Sequence, residues 1–344
     1  MRRKVRWGVL STARIGVQKV IPAMQQCEHG EVVAIASRNL AAAQQAASKL
    51  GIAQAYGSYE ELLADHEIDA IYNPTPNHLH VSLSLKALHA GKHVLCEKPI
   101  ARNAEEARQL LQAARAHPRL KVMEAFMYRH HPQWQKAREL TQSGQIGVVK
   151  TLHCFFSFFN DDPANTRNQA DMGGGALLDI GCYAVSIPRF IFGAEPLRVC
   201  ALRELDPNFQ TDRLISGILD FGACTSTFTC STQLPRSQSA IIVGTEGRIE
   251  IEVPLNPPFE KSPRIFHHHG EAVHEITFTP RNQFTLQGDL FNRAILNNTP
   301  APTPLEDALA NMRVLDALAQ SAQQQAWIAV SWQDGPEPNK NPNG

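Results

Sequence analysis

The sequence has no surplus of either charge: 33 lysines and arginines face 33 aspartates and glutamates in 344 residues. Chains that bind nucleic acid carry a basic excess or a concentrated basic face, so no nucleic-acid partner is expected. The one basic cluster, MRRKVR at residues 1–6, leads straight into an apolar strand and reads as a solvated lead-in. No apolar run is read as reaching the roughly 20 residues that cross a bilayer, and the N-terminal stretch lacks a secretory h-region and cleavage pattern. No membrane partner is therefore expected. The seven cysteines are scattered at 27, 96, 154, 182, 200, 224 and 230, with no C-x-x-C pair. An odd, dispersed set in a long chain reads as reduced core thiols in a cytoplasmic protein. There is no internal repeat. The histidine run FHHHG at 266–270 is not read as a metal site, because consecutive strand residues point to alternate faces.

What is present is a globular composition, 43% hydrophobic and 19% charged, with a length that suits two domains. Short apolar runs at 5–10, 31–37, 68–76, 92–99 and 120–126 alternate with helix-compatible segments at 14–27, 41–50, 58–64, 80–91 and 103–117. Ser58 and Asn103 precede two of these helices as caps, Gly51 and Gly91 follow two others, and Pro22 is expected to turn or kink the first. This βαβ spacing predicts a doubly wound, mostly parallel sheet over residues 1–126, an α/β unit that binds ligands beyond the carboxyl ends of its strands. After about residue 150 the pattern becomes β-rich, with helices at 133–143, 175–192 and 284–297. That predicts an α+β domain over 127–304 with a large, mostly antiparallel open sheet. Residues 305–330 are expected to form a helix and strand packing back on the first domain, and 333–344 a flexible tail.

The stretch GVLSTARIG at 8–16 sits where a strand turns into a helix. Ser11 and Ala13 stand at the first two glycine positions of a G-x-G-x-x-G loop, and Gly16 keeps the third. A pyrophosphate needs backbone N–H groups at a helix N-terminus and little bulk above them, which small residues still allow. The next strand ends in Ser37-Arg38. An arginine there suits a ribose 2′-phosphate, where Asp or Glu would meet a free 2′-hydroxyl. The bland alternative is a solvated arginine.

Three further stretches carry chemistry-bearing residues: YNPTPNHLH at 72–80, CEKP at 96–99 and GGGALLDIGCYAV at 173–185. Asp179 and Tyr183 lie four apart, on one helix face, in an apolar segment. They are read either as a hydrogen bond fixing the helix or as an acid/base unit with Lys98, whose ammonium would favour the phenolate. Lys98 alone also reads as a surface lysine paired to Glu97.

The set AGKHVLCEKP, EAFMYRHHP and GGGALLDIGCYAV, in that order behind a dinucleotide loop, resembles the Gfo/Idh/MocA oxidoreductase family over roughly residues 1–330. The branch it resembles holds dihydrodiol dehydrogenases, D-xylose dehydrogenases and glucose–fructose oxidoreductases. The resemblance implies an NAD(P)-binding Rossmann domain, with NADP(H) favoured over NAD(H) by Arg38. It implies hydride transfer between the nicotinamide and a secondary or anomeric hydroxyl of a sugar, polyol or dihydrodiol. Lys98, Asp179 and Tyr183 match the catalytic positions, and Arg129 and Arg167 match arginines placed near substrate. Ser11, Thr12, Ala13, Arg14, Ile15, Ser37, Arg38, Thr75, Pro76, Asn77, His80, Glu97 and Lys98 match the cofactor segment. A homodimer, or a dimer of dimers, through the C-terminal sheet is implied. A non-catalytic NADP(H) sensor or scaffold is the alternative. Asn73 departs from the pattern, standing where an apolar residue is usual.

Overall fold

The structure, a computed structural model, describes residues 3–332; the tail expectation for 333–344 lies outside the described residues. The chain divides into two compact units, one of residues 1–127 and 282–309, the other of 128–281 and 310 onward.

In the first unit six strands alternate with helices: β1 Val5–Leu10, β2 Gly30–Ala36, β3 Gln54–Tyr56, β4 Ala70–Asn73, β5 His93–Cys96 and β6 Val122–Glu124. They pair in parallel in the order β3-β2-β1-β4-β5-β6. The order reverses between β1 and β4, so the switch point lies at the carboxyl end of β1. The caps expected at Ser58, Asn103 and Gly51 are present, and Asn39 adds one that the sequence reading did not name. Asn39, Ser58 and Asn103 accept backbone N–H bonds from Ala42, Glu61 and Glu106, and Gly51 takes a left-handed φ of 66°.

Three boundaries differ from expectation. The segment after β1 runs helically only to Met24, as a π-helical turn Gly16–Val20 followed by Ile21–Met24. Pro22 sits inside it, and the wider turn before it accommodates the missing N–H donor. The strand expected over 68–76 is confined to Ala70–Asn73, because the next helix starts at Asn77, just past Pro76. The helix Gln283–Leu296 belongs to the first unit, not the second as 127–304 would have it. Phe291 packs on Trp7 with ring centroids 5.9 Å apart, and Trp7 Nε1 donates to Asn292 Oδ1 at 2.8 Å.

The second unit holds β7 Val149–Phe159, β8 Arg198–Leu205, β9 Asp212–Asp220, β10 Thr225–Ser231, β11 Gln233–Gly244, β12 Gly247–Ile251, β13 Arg264–His269, β14 Ala272–Thr277 and β15 Ile328–Ala329. They form one sheet in the order β14-β13-β12-β11-β7-β10-β9-β8-β15, antiparallel except for the β7–β10 pair. One face is apolar and buried, with Val199, Ile215, Leu219, Phe228, Leu152 and Ile242 among its members. Across the other face the register aligns Cys200, Ile218, Thr227, His153 and Ile241. The long helix Leu305–Gln324 is divided, Leu305–Leu309 falling in the first unit and the rest, from Ala310, in this one. There Asn311 bonds both Arg189 and the Cys182 carbonyl, and Ser321 Oγ accepts the Ala201 N–H.

The segment Ala170–Phe192 is, by length and composition, apolar enough to cross a membrane, contrary to the sequence reading. In the structure 83% of its apolar window is buried inside the protein. All seven cysteines are free thiols, and burial pushes Cys154 up to about 12, as expected of inert core residues.

Four histidines that desolvation holds neutral contribute to the acid sensitivity of the fold. Burial pushes His80, His93, His130 and His131 down to about 4. The unfolded chain titrates them near 6.5, so it binds protons the folded chain refuses. Their contribution is complete above about pH 6.5 and is lost as pH falls toward 4, at up to about 1.4 kcal/mol per pH unit per histidine. Asp212, raised to about 6, has the opposite sign and offsets one of them. Thermal unfolding followed across this window should show a steep fall in Tm. A flat Tm from about pH 6.5 to 4.5 would contradict neutral burial of these rings.

Candidate active site

The sequence-predicted residues of the first unit lie in the turns at the carboxyl ends of the parallel strands or, for Asn77 and His80, in the first turn of the helix that follows β4, so these turns share one edge of the sheet. After β1, Ser11 adopts a left-handed φ of 81° and its N–H bonds the Ala36 carbonyl. A serine in that conformation carries strain that glycine would not. Its hydroxyl accepts the Ala13 N–H at 3.2 Å and folds the loop back on itself. Helical bonding starts with Val17 N–H to Ala13 O. The amides of Arg14, Ile15 and Gly16 therefore precede the first intrahelical bond and point out of the helix N-terminus. Thr12 is half-buried, and Arg14 and Ile15 are exposed. After β2, Ser37 is half-buried and Arg38 exposed, and the Ser37 hydroxyl accepts the Asn39 N–H.

The turns after β4 and β5 are tied to each other. His80 is fully buried, with Nδ1 2.7 Å from the Pro99 carbonyl and Nε2 2.7 Å from the Thr75 carbonyl. Asn73, the departure from the family pattern, accepts from Thr75 Oγ1 at 2.7 Å and donates to the His80 carbonyl. A buried apolar side chain at this position would leave those groups without partners. Pro76 and Asn77 are half-buried at the start of the helix. The Lys98-Pro99 bond is cis. Tyr72 Oη donates to Glu97 Oε1 at 2.7 Å, and Glu124 Oε1 accepts the Ile100 N–H at 2.7 Å. Lys98, half-buried, is thus carried on a turn fixed on both sides. The sequence reading missed Tyr72 and Glu124. Both are single polar atoms at strand ends, and no spacing rule marks them.

The second unit brings Asp179, Tyr183, Arg129 and Arg167 onto one segment and its neighbours. Asp179 lies in a π-helical turn Leu177–Gly181, and Tyr183 in the α-helix Cys182–Phe192 that continues it. Arg167 Nε donates to Asp179 Oδ2 at 2.6 Å, and its guanidinium lies over Phe158. Tyr183 is buried between Tyr128 and Phe156, ring centroids 5.9 and 6.2 Å away. An apolar recess beside it is lined by Phe155, Phe156, Ile187, Pro254 and Leu255. Arg129 donates to Ser186 Oγ at 2.7 Å, and Tyr128 Oη stands 2.8 Å from the same oxygen. Tyr128 and Ser186 also escaped the sequence reading, although Tyr128 adjoins Arg129 in the motif EAFMYRHHP. His131 caps the helix Pro132–Gln142 through Nδ1. Among the described residues no cluster of histidine, cysteine or carboxylate side chains is arranged to hold a metal ion.

Residues 5–126 match the NAD-binding Rossmann-fold model of the Gfo/Idh/MocA oxidoreductase family, and residues 134–250 match the C-terminal domain model of the same family. The chain is 38% identical over 331 residues to D-xylose 1-dehydrogenase (NADP(+)) 2 of Haloferax volcanii, covering 94% of this chain and 99% of that protein. It is 38% identical over 266 residues to a trans-1,2-dihydrobenzene-1,2-diol dehydrogenase of Xenopus laevis, covering 75% and 77%. A crystal structure of a 3-ketoreductase from Actinomadura kijaniata with NADP and TDP-benzene superposes with a TM-score of 0.88 at 28% identity, covering 93% and 98%. Family models over both halves and a full-length relative agree with the motif order in the sequence: this chain belongs to the Gfo/Idh/MocA family of oxidoreductases.

Proposed function

We propose that the protein is an NADP(H)-dependent dehydrogenase or reductase that transfers hydride between the nicotinamide and a secondary or anomeric hydroxyl of a sugar or dihydrodiol. The observation that carries this reading is the fixation of Lys98. Buried bonds through His80, Glu124 and Tyr72 hold the short turn that presents one ammonium. The first unit fits a dinucleotide: three helix N-terminal amides and small side chains suit a pyrophosphate, and exposed Arg38 suits a 2′-phosphate. When bound, the nicotinamide supplies the hydride acceptor or donor.

The chain's own residues do the rest. Tyr183 takes the proton of the reacting hydroxyl at Oη, and Lys98 stabilises the phenolate and orients that hydroxyl. Asp179, held by Arg167, fixes the neighbouring substrate hydroxyl; Arg129, matched by the resemblance to a substrate arginine, is buried with its guanidinium on Ser186 Oγ and acts through the packing around Tyr128. The relatives act, by name, on D-xylose and on a trans-dihydrodiol, and both present vicinal hydroxyls that this set of donors suits. Reduced thiols fit a cytoplasmic protein. The open face of the second sheet, with Leu202 67% and Ile218 40% exposed, fits pairing with a second copy.

The test is a panel of aldoses, inositols and trans-dihydrodiols with NADP and NAD, read by nicotinamide absorbance. Turnover of an aldose or dihydrodiol with NADP is expected. Binding of NADPH with no turnover across the panel would favour the sensor reading. Sedimentation of the same preparation should give at least twice the 38.0 kDa chain mass, and a monomer at micromolar concentration would remove the sheet pairing.

A further inference from the structure

The helix that carries Asp179 and Tyr183 starts in an unusual way. Its first turn, Leu177–Gly181, is π-helical, and Ala176 before it offers no capping side chain. A wide opening turn leaves its leading amides in need of a partner from elsewhere. That partner comes from the start of β9. Asp212 Oδ2 accepts the Leu177 N–H at 2.6 Å, and the Ala176 amide also bonds this carboxylate. The glycine run makes the approach possible. Gly175 has φ 110°, and a Cβ there would stand 2.0 Å from Asp212 Oδ1. Asp179 N–H bonds the Gly175 carbonyl at 3.1 Å, so the proposed functional carboxylate sits in the same turn whose leading amides Asp212 holds.

We propose that Asp212 is a positioning residue for the reaction: from β9 it pins the first turn of this helix and thereby sets where Asp179 and Tyr183 stand. The proposal rests on the function given above, in which those two side chains meet substrate. Asp212 touches neither, and acts through the turn.

Burial raises Asp212 to about 6, against the Leu177 and Ala176 amides and Arg203 of β8, which favour the charged form. The other titratable groups around it are Cys230 of β10, whose thiol feels both Asp212 and Asp179, and Asp179 itself on the helix. The folded turn therefore holds a proton that a solvated carboxylate would release, so acid does not favour its opening, and the pin is the acceptor oxygen rather than the charge.

The test uses the full chain with two substitutions: Asp212→Ala removes both acceptor oxygens, and Asp212→Asn keeps one with the side-chain shape. Two readouts are needed. Amide hydrogen exchange of residues 176–181 at fixed pH should quicken in Asp212→Ala and stay close to the unaltered rate in Asp212→Asn. Turnover should fall roughly 10- to 100-fold in kcat in Asp212→Ala with the KM for NADPH unchanged, and Asp212→Asn should restore most of it. Wild-type exchange in Asp212→Ala overturns the pin. Altered exchange with unaltered kcat overturns the positioning role and leaves a purely structural cap. Should Asp212→Ala fail to fold, Asp212→Ser, which returns one shorter acceptor, takes its place under the same outcomes. Absence of turnover in the unaltered protein defeats the functional reading alone, because the exchange arms still report on the turn.

Discussion

Replacing Lys98 with methionine should lower kcat by roughly 10²- to 10⁴-fold while NADPH still binds with near-normal affinity. Methionine keeps the unbranched stem and comparable bulk, so the change removes an ammonium and little else. The surroundings of Lys98 make this a clean experiment. Its turn is secured by backbone and side-chain groups of other residues: Pro99 O on His80, Ile100 N on Glu124, and Glu97 on Tyr72. None of these bonds uses the lysine side chain, so the turn should survive the substitution. Fluorescence titration with NADPH and a thermal melt should therefore match the unaltered protein. Turnover that persists within about threefold would remove Lys98 from the chemistry, whatever its position. Loss of NADPH binding would instead show a structural role for the ammonium.

The second large effect concerns choice of cofactor. Arg38→Ala should lower kcat/KM with NADP by roughly 10- to 100-fold and leave the value with NAD nearly unchanged. The guanidinium follows β2 directly, at the position where an acidic residue would read a free ribose hydroxyl. It is exposed, so in the absence of a phosphate it has no burial to lose. A charge-assisted bond to phosphate, with stacking of the flat group on adenine, is worth about 1.5–3 kcal/mol. An unchanged ratio of NADP to NAD efficiency in the variant would refute the assignment. Paired with the lysine variant, this substitution separates cofactor recognition from chemistry, since each should move one quantity and spare the other.

How far the sequence could be read followed from the range of the forces involved. The caps at Ser58 and Asn103 were legible because a side chain and the amide it satisfies lie within three residues. The parallel order was legible because βαβ spacing admits few windings. The helix Gln283–Leu296 could be seen as a helix but not placed, because its fate depends on Trp7, 285 residues before Asn292. The disturbance at Gly16–Val20 was announced by Pro22, whereas the π-helical turn Leu177–Gly181 left no pattern, since the carboxylate that meets its leading amide lies 35 residues away. In the site, residue identities were legible from the motif order, while their partners were not. Arg167 was read as a substrate arginine and Asp179 as an orienting acid, yet the structure joins them directly. Asp212 opens a strand like many other aspartates, and only folding reveals the glycine cleared to receive it.

The first unit is stitched from both sides of the second. Trp7 meets Phe291 and Asn292, and Cys27 lies against the Thr285 carbonyl, so the early part of the sheet awaits residues from late in the chain. A nascent polypeptide emerging from the ribosome cannot complete its dinucleotide fold when the first 127 residues are out. An apolar flank around Trp7 stays uncovered until translation passes residue 296, and at about 5–20 residues per second that interval lasts on the order of ten to thirty seconds.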